Sequence, residues 1–397
     1  MTKKLNIGVV ANTAFNLYNF RLELIKALMA EGHHVIAIAP KDNYVELLKE
    51  NNIEFIEIKN LARKGTNPYN DMKLVNEFRK VYKQHKLDVV LQYTIKPNIY
   101  GTFAAKLSNI KTICTVTGLG YTFLNESLAS KVAHRLYRLA FSYADKVLFQ
   151  NTDDVETFVT NKLVDRNKTL IVPGSGIDTE RFSPDFCAEK KEEERHCERS
   201  EAISTNNEDG FVPRHHIVKF LMIGRLLKDK GVYEYVEAAK KILAKNKNVE
   251  FHLLGEIDNQ NPSAIKTKEL EDWMIEGTII YHEHTKDTRP FICKADCVVL
   301  PSYREGMPRV ILEGMAMAKP CITTDAPGCK DSVIDGESGF ICKTADASSL
   351  QEKMEYFLSL PETYKKQVSI SARKRAEYIF SKNNINSIYL ELLRKLG

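Results

Sequence analysis

At 397 residues the chain is long enough for two or three domains, and its 43% hydrophobic and 27% charged residues are ordinary for a globular protein. No apolar run reaches the roughly eighteen residues of a membrane span, and the opening MTKKLNIGVV lacks the apolar core and cleavage site of a signal peptide. A cytoplasmic protein is therefore expected. The net charge of +5 is uneven: residues 1–180 carry 24 Lys and Arg against 18 Asp and Glu, and the remainder 33 against 34. This excess points to an anionic partner on the N-terminal side, phosphate or an acidic lipid surface. No helix-turn-helix or RNA-binding signature accompanies it, so nucleic acid is not expected.

In chain order, Leu5–Ala11 reads as a buried strand and Asn12–Asn19 as a loop, followed by a helix from about Phe20 to Ala30 that Gly32 ends. Val35–Ala39 is the next strand. The alternation continues through strand Glu54–Ile58, a helix near Asp71–His85, strand Val89–Gln92, a helix near Ile99–Leu107 and strand Thr112–Val116. Helix Leu128–Tyr143 and strands Lys146–Gln150 and Thr169–Val172 complete this half. Ile217–Ile223 restarts the pattern with helix Val232–Lys245, strand Glu250–Leu254, a helix near Ser263–Glu276 and strand Thr278–Tyr281. Strand Cys297–Leu300, a helix from Arg309, strands Pro320–Thr324 and Gly339–Ile341, helix Ser348–Leu358 and a helical tail Gln367–Lys395 follow. Strands regularly separated by helices predict α/β architecture, two doubly wound domains in tandem. The absence of G-x-G-x-x-G counts against a dinucleotide oxidoreductase.

Between the halves, Cys187–Asp209 is densely charged with almost no apolar residues, which predicts an exposed, mobile insertion or a short solvated helix over Glu189–Ile203. The eight cysteines show no paired C-x2-C zinc spacing, and most read as free, partly buried thiols of a reducing compartment. His282 and His284 stand two apart with no third ligand in sight, so they read as ordinary exposed histidines and no metal is expected.

The chemistry concentrates in CVVLPSYREGMPRVILEGMAMAK, Cys297–Lys319. Its strand stops at Pro301-Ser302, a loop follows, and Pro308 opens a helix. Loops between the carboxyl end of a parallel strand and a helix N-terminus are where open α/β sheets bind ligands. The N–H groups of Arg309, Val310 and Ile311 and the helix dipole favour a phosphate. Glu305 and Glu313 frame that anion site, and carboxylates accept hydrogen bonds from hydroxyls. A nucleotide sugar, phosphate flanked by polyols, has that shape. Gly224-Arg225-Leu226-Leu227-Lys228-Asp229-Lys230-Gly231 leaves strand Ile217–Ile223 at the same sheet edge, where Arg225 and Lys230 can reach a diphosphate.

In the first half, Thr117 and Gly118 follow strand Thr112–Val116, and the glycine permits close approach of a ligand. Lys96 and the Arg63-Lys64 loop supply positive charge at the open edge, and Asn12 and Asn16 in the first loop supply amide donors. Helix Leu128–Tyr143 has an apolar stripe with Lys131, His134, Arg135 and Arg138 elsewhere on its wheel, the pattern of a sheet-covering helix or of a membrane-surface helix.

Glu305 and Glu313, separated by seven residues behind an LPS strand end and around G-x-P, closely resemble the E-x(7)-E motif of retaining family 4 glycosyltransferases. Gly224–Gly231 resembles that family's G-R-L-x-x-x-K-G loop. The resemblance spans the chain except Cys187–Asp209. It implies a GT-B fold of two Rossmann-like domains facing across a cleft: an acceptor domain 1–184, a linker 185–213, a nucleotide-sugar domain 214–366, and terminal helices 367–397 that return across the junction. It implies catalytic roles for Glu305, Arg225 and Lys230, with Gly224, Gly306, Met307, Pro308, Arg309, Val310 and Glu313 also binding the donor. Arg225 and Lys230 would hold the diphosphate, Glu305 the sugar and Glu313 the ribose. Gly255-Glu256 and Tyr281–Asp287 stand where relatives contact the base.

Many family members have a histidine where Thr117 stands, so no catalytic histidine is assigned. The T-G-L-G form, with Tyr93–Gly101 upstream, is similar to the branch that acts on polyprenyl-diphosphate sugars in surface-polysaccharide or glycan assembly. The expected reaction is transfer of a hexosamine from a UDP-sugar to a lipid-diphosphate-linked saccharide on the inner face of the plasma membrane, without metal or other cofactor. A UDP-N-acetylglucosamine 2-epimerase-like enzyme and a non-catalytic nucleotide-sugar-binding protein are the competing readings.

Overall fold

Seven short runs, β1 (Asn6–Val10), β2 (His34–Ala39), β3 (Glu54–Glu57), β4 (Val89–Tyr93), β5 (Lys111–Val116), β6 (Lys146–Phe149) and β7 (Thr169–Ile171), form one parallel sheet in the order β3-β2-β1-β4-β5-β6-β7. A second parallel sheet, in the order β10-β9-β8-β11-β12-β13, contains β8 (Val218–Ile223), β9 (Val249–Leu254), β10 (Ile280–His282), β11 (Cys297–Leu300), β12 (Cys321–Thr324) and β13 (Phe340–Cys342). The computed structural model describes residues 3–61, 67–119, 128–190, 217–258 and 261–396. The chain divides into two units, residues 1–176 with 382–397, and residues 177–381.

The central strands lack alternation because helices cover both faces. Ile7 and Val9 face one core with Leu24, Ile25 and Leu28 of helix Ala14–Ala30, while Val10 faces another with Phe78 of helix Pro68–Gln84. Burying each such side chain contributes about 1.5–3 kcal/mol before chain entropy is counted. Helix Lys382–Leu396 returns to the first sheet, where the Tyr389 hydroxyl lies 3.1 Å from Thr115 Oγ1. The preceding helix, Glu362–Tyr378, stays with the second unit and packs Ala372 and Ala376 against Leu312 and Met315.

Several boundaries differ from the sequence reading. The first helix begins at Ala14 rather than Phe20, because Thr13 Oγ1 accepts the Asn16 N–H at 3.0 Å and caps it. Asn67 caps the next long helix with Pro68 in its first turn, so it starts three residues before Asp71. A π turn, Pro97–Gly101, precedes the short α segment Thr102–Lys106. Short helices Val45–Glu50, Thr152–Thr160 and Arg289–Lys294 were not anticipated, being too brief for a clear apolar period.

Of the charged segment between the halves, residues 187–190 lie on a helical stretch 184–190, and residues 191–209 are outside the described residues. Cys187 is bonded to Cys293, a pairing the spacing did not reveal. Cys114, Cys297, Cys321, Cys329 and Cys342 are free and buried, and Cys197 is outside the described residues.

Candidate active site

In the second sheet the strand order turns back between β8 and β11, which are direct neighbours with Cys297 opposite Phe220 and Val299 opposite Met222. Such a reversal opens a crevice at the carboxyl ends of the strands. Both motif loops leave at that point: Gly224–Gly231 after β8 and Ser302–Pro308 after β11.

The two loops are bonded to each other. Lys230 Nζ donates to Glu305 Oε1, and both side chains are largely buried. The Tyr303 N–H donates to the Asp229 carbonyl at 2.9 Å, and Ser302 Oγ to the same oxygen at 3.2 Å. The Tyr303 hydroxyl donates to Glu234 Oε1 at 2.6 Å. Gly231 closes the first loop with φ +77°, and a Cβ there would meet the Pro301 carbonyl oxygen at 2.1 Å. Only glycine accepts both the left-handed backbone and that approach. Gly328 performs the same service for the second loop, where a Cβ would meet the Glu305 carbonyl oxygen at 2.3 Å.

Helix Arg309–Ala316 begins after Pro308, whose own side chain makes no capping hydrogen bond. The Ile311 N–H, expected to be open, instead donates to the Pro308 carbonyl at 3.1 Å, because the first turn closes tightly. Glu313 is 8% exposed. Its Oε1 accepts from Arg309 Nε at 3.0 Å and its Oε2 from Thr288 Oγ1 at 3.1 Å. Arg309 lies one turn before Glu313, so the i,i+4 spacing brings them together.

Arg225 is half-exposed at the end of β8, and its Nη1 lies 3.3 Å from Asp258 Oδ2. Gly224 precedes it, and a Cβ on Gly255 would meet the Gly224 carbonyl oxygen at 1.8 Å, so the β8 and β9 loops touch backbone to backbone. Tyr281 donates from its hydroxyl to the Gly255 carbonyl at 2.9 Å. His282 is half-buried rather than exposed. Register places it diagonally across from His252, 2.9 Å between ring nitrogens, with the rings 4° from parallel. Burial, then the neighbouring imidazole, lowers the His282 pKa, whereas His284 is exposed. Among the described residues no group of three or more His, Cys, Asp or Glu is placed to hold a metal.

Cys329 lies near Glu305, and burial above all, then that carboxylate, pushes its thiol up to about 12, so it is no thiolate nucleophile. Tyr303, Glu234 and Thr288 are site-supporting residues that motif reading missed.

In the first unit, Thr117 and Gly118 follow β5, and Gly118 has φ +120°. Asn12 is in the loop after β1, but Asn16, expected there too, stands in the first helical turn because Thr13 starts the helix. Lys96, expected as an open basic group, has its Nζ 3.5 Å from Asp71 Oδ1, and Asp71 also accepts from the Tyr100 hydroxyl at 2.7 Å. The π turn places Tyr100 beside Asp71 of helix Pro68–Gln84, a juxtaposition that local sequence around Lys96 does not reveal. Thr94, just before, holds φ +71°, a conformation costly for a β-branched residue. Arg63 is outside the described residues.

Two families of sequence match the chain: glycosyl transferases group 1 over residues 212–375, and glycosyl transferase 4-like over residues 8–151. A Campylobacter jejuni relative, N,N'-diacetylbacillosaminyl-diphospho-undecaprenol alpha-1,3-N-acetylgalactosaminyltransferase, is 29% identical over 98% of both chains. A Rickettsia africae glycosyltransferase structure superposes with TM-score 0.78 at 21% identity, covering 99% of this chain and 98% of that one. The Anabaena HepE protein in complex with UDP and glucose superposes with TM-score 0.74 at 16% identity, covering 98% and 99%. The two parallel α/β sheets thus belong to the fold of the GT-B glycosyltransferases.

Proposed function

We propose, for a chain that belongs to the group 1, family 4 glycosyltransferases and is therefore a glycosyl-transferring enzyme, that its reaction moves an N-acetylated hexosamine from a UDP-sugar to a polyprenyl-diphosphate-linked saccharide. The observation that carries this is the meeting of Lys230 and Glu305 at the β8–β11 reversal, one group suited to a diphosphate and the other to sugar hydroxyls.

The bond from the anomeric carbon to the UDP oxygen breaks, and the acceptor hydroxyl bonds that carbon on the face the UDP leaves. The hydroxyl proton passes to the departing phosphate. Arg225, Lys230 and the helix N-terminus at Arg309 and Val310 neutralise charge that grows on the diphosphate. Such preorganised donors contribute on the order of 3 kcal/mol each. Glu305 orients the sugar and Glu313 the ribose. Gly224, Gly306, Met307 and Pro308 let the backbone approach the donor. No side chain need form a covalent intermediate.

The Campylobacter relative's name supports the lipid-linked acceptor. Asn12, Asn16, Arg63, Lys96, Thr117 and Gly118 are proposed for the acceptor side. No helix among the described residues is long and apolar enough to cross a membrane. Helix Leu128–Tyr143, free of Asp and Glu, exposes Val132, Leu139 and Tyr143 beside Lys131 and Arg135, which suits a peripheral seat on an anionic bilayer.

The test is mass spectrometry of products from a panel of UDP-sugars with undecaprenyl-diphosphate-linked saccharides. A mass gain of one N-acetylhexosamine on the lipid is expected. Conversion of UDP-N-acetylglucosamine without acceptor would replace transfer by epimerisation, and UDP binding with no turnover on any acceptor would sink the enzymatic reading of these loops.

A further inference from the structure

We infer, on the reading that Lys230 and Glu305 serve the donor, that Tyr303 and Glu234 are positioning residues which keep the two loops at catalytic spacing once the donor separates that charge pair. Without a donor, Lys230 and Glu305 neutralise each other. A bound UDP-sugar claims both, Lys230 for phosphate and Glu305 for hydroxyls, so this tie between loops is lost when alignment matters most.

A second tie runs beside it. Tyr303 stands two residues before Glu305, and Glu234 four after Lys230, in the first turn of helix Val232–Leu243. The phenol donates to Glu234 Oε1 at 2.6 Å, across 69 residues of sequence. Among the described residues Glu234 Oε2 is buried without a partner, and the phenol bonds the other oxygen of this carboxylate. Burial first, then that carboxylate, raises the Tyr303 pKa, and the proton stays on the phenol throughout the physiological range. The phenol is therefore the donor of this bond throughout that range. It braces a backbone contact already formed, Tyr303 N–H to the Asp229 carbonyl at 2.9 Å. Neither side chain is required to touch substrate; they act through the loops that carry Lys230 and Glu305.

The test uses the whole chain, UDP as binding probe, and the lipid-acceptor assay for turnover. A misplacement of reacting groups by a fraction of an ångström to one ångström costs about tenfold to a hundredfold in rate. Tyr303→Phe and Glu234→Ala are each expected to lower kcat by that factor, with KM for the donor within about threefold. Glu234→Gln keeps an acceptor for the phenol and should retain kcat within about twofold. In UDP-saturated protein, backbone amides of residues 302–306 should exchange with deuterium faster in Tyr303→Phe than in wild type or Glu234→Gln. Wild-type kcat in Tyr303→Phe, or unchanged exchange at residues 302–306, overturns the role. Lys230→Ala separates the two levels: if it too turns over normally the donor reading fails, and if it is inactive while Tyr303→Phe is normal only the positioning role fails.

Discussion

Lys230 Nζ donates to Glu305 Oε1 across two loops that leave neighbouring strands β8 and β11. Seventy-five residues of sequence separate them, yet both sit at the point where the strand order reverses. A cation and a carboxylate largely removed from water lie within reach of each other at one crevice, and the proposed reaction has both exchange partners when a charged polyol arrives.

Replacing either one should have distinguishable effects. Lys230→Ala is expected to weaken UDP binding and to lower kcat/KM by roughly a hundredfold to a thousandfold, the scale of one lost preorganised donor. Glu305→Ala should lower kcat similarly, yet leave UDP itself bound within a few-fold, because UDP has no transferred sugar for it to hold. Calorimetry with UDP beside initial rates checks this, and equal UDP affinity in wild type and Lys230→Ala would remove the lysine from the diphosphate site.

Glu313 gives a second contrast. Its carboxylate is already oriented by Arg309 and Thr288, so Thr288→Val should raise KM for the donor by about two- to tenfold, the value of one ordinary hydrogen bond, with kcat nearly unchanged. Glu313→Ala should raise it further and also lower the melting temperature, since Arg309 and Thr288 lose their shared acceptor. A fall in kcat without change in KM on Thr288→Val would argue against a ribose-holding role.

These pairs mark where the sequence stopped being legible. The strands were readable because β11 and the inner part of β8, Phe220–Ile223, are buried and continuously apolar, and the motif loops followed from where those runs end. The partners were not: Thr288 lies 25 residues from Glu313, and Glu234 lies 69 from Tyr303, joined only by strand order. Asn12–Asn19 read as a loop because three asparagines mask a Thr13-capped helix start. His282 meets His252 on another strand and Lys96 meets Asp71 on another helix, pairings that no local pattern encodes.

The stacked histidines predict a pH dependence of stability. Both folded-state pKa values lie below the ordinary 6.5, His252 through burial, opposed by Glu250, and His282 through burial and then His252. Between those lowered values and 6.5 the unfolded chain binds more protons than the folded one, so stability falls as pH drops through 6.5 and is restored above it. Glu250, whose own pKa is depressed because its bonds to His252 and Lys219 outweigh burial, loses its contribution only below its ordinary 4.5. Melting temperatures from pH 7.5 down to about 5 should decline, and less steeply in His282→Gln. Identical slopes would mean that the pair does not titrate in that window.

The outer face of helix Leu128–Tyr143 carries the last prediction. Val132 and Leu139 are each nearly half exposed, with Tyr143 close behind, and Lys131 and Arg135 flank them without any acid on the helix. A basic residue near an anionic bilayer contributes about 1 kcal/mol, so reversing two of them should weaken binding by at least about thirtyfold. Co-sedimentation with phosphatidylglycerol vesicles is expected for the wild type, to fall with added salt, and to be lost in Lys131→Glu/Arg135→Glu. Leu139→Asp should weaken it by removing buried apolar surface, leaving the folded chain and UDP binding intact. Equal binding to phosphatidylcholine and phosphatidylglycerol, or no response to the charge reversal, would remove this helix from the proposed membrane seat, because an electrostatic seat must discriminate between those two surfaces.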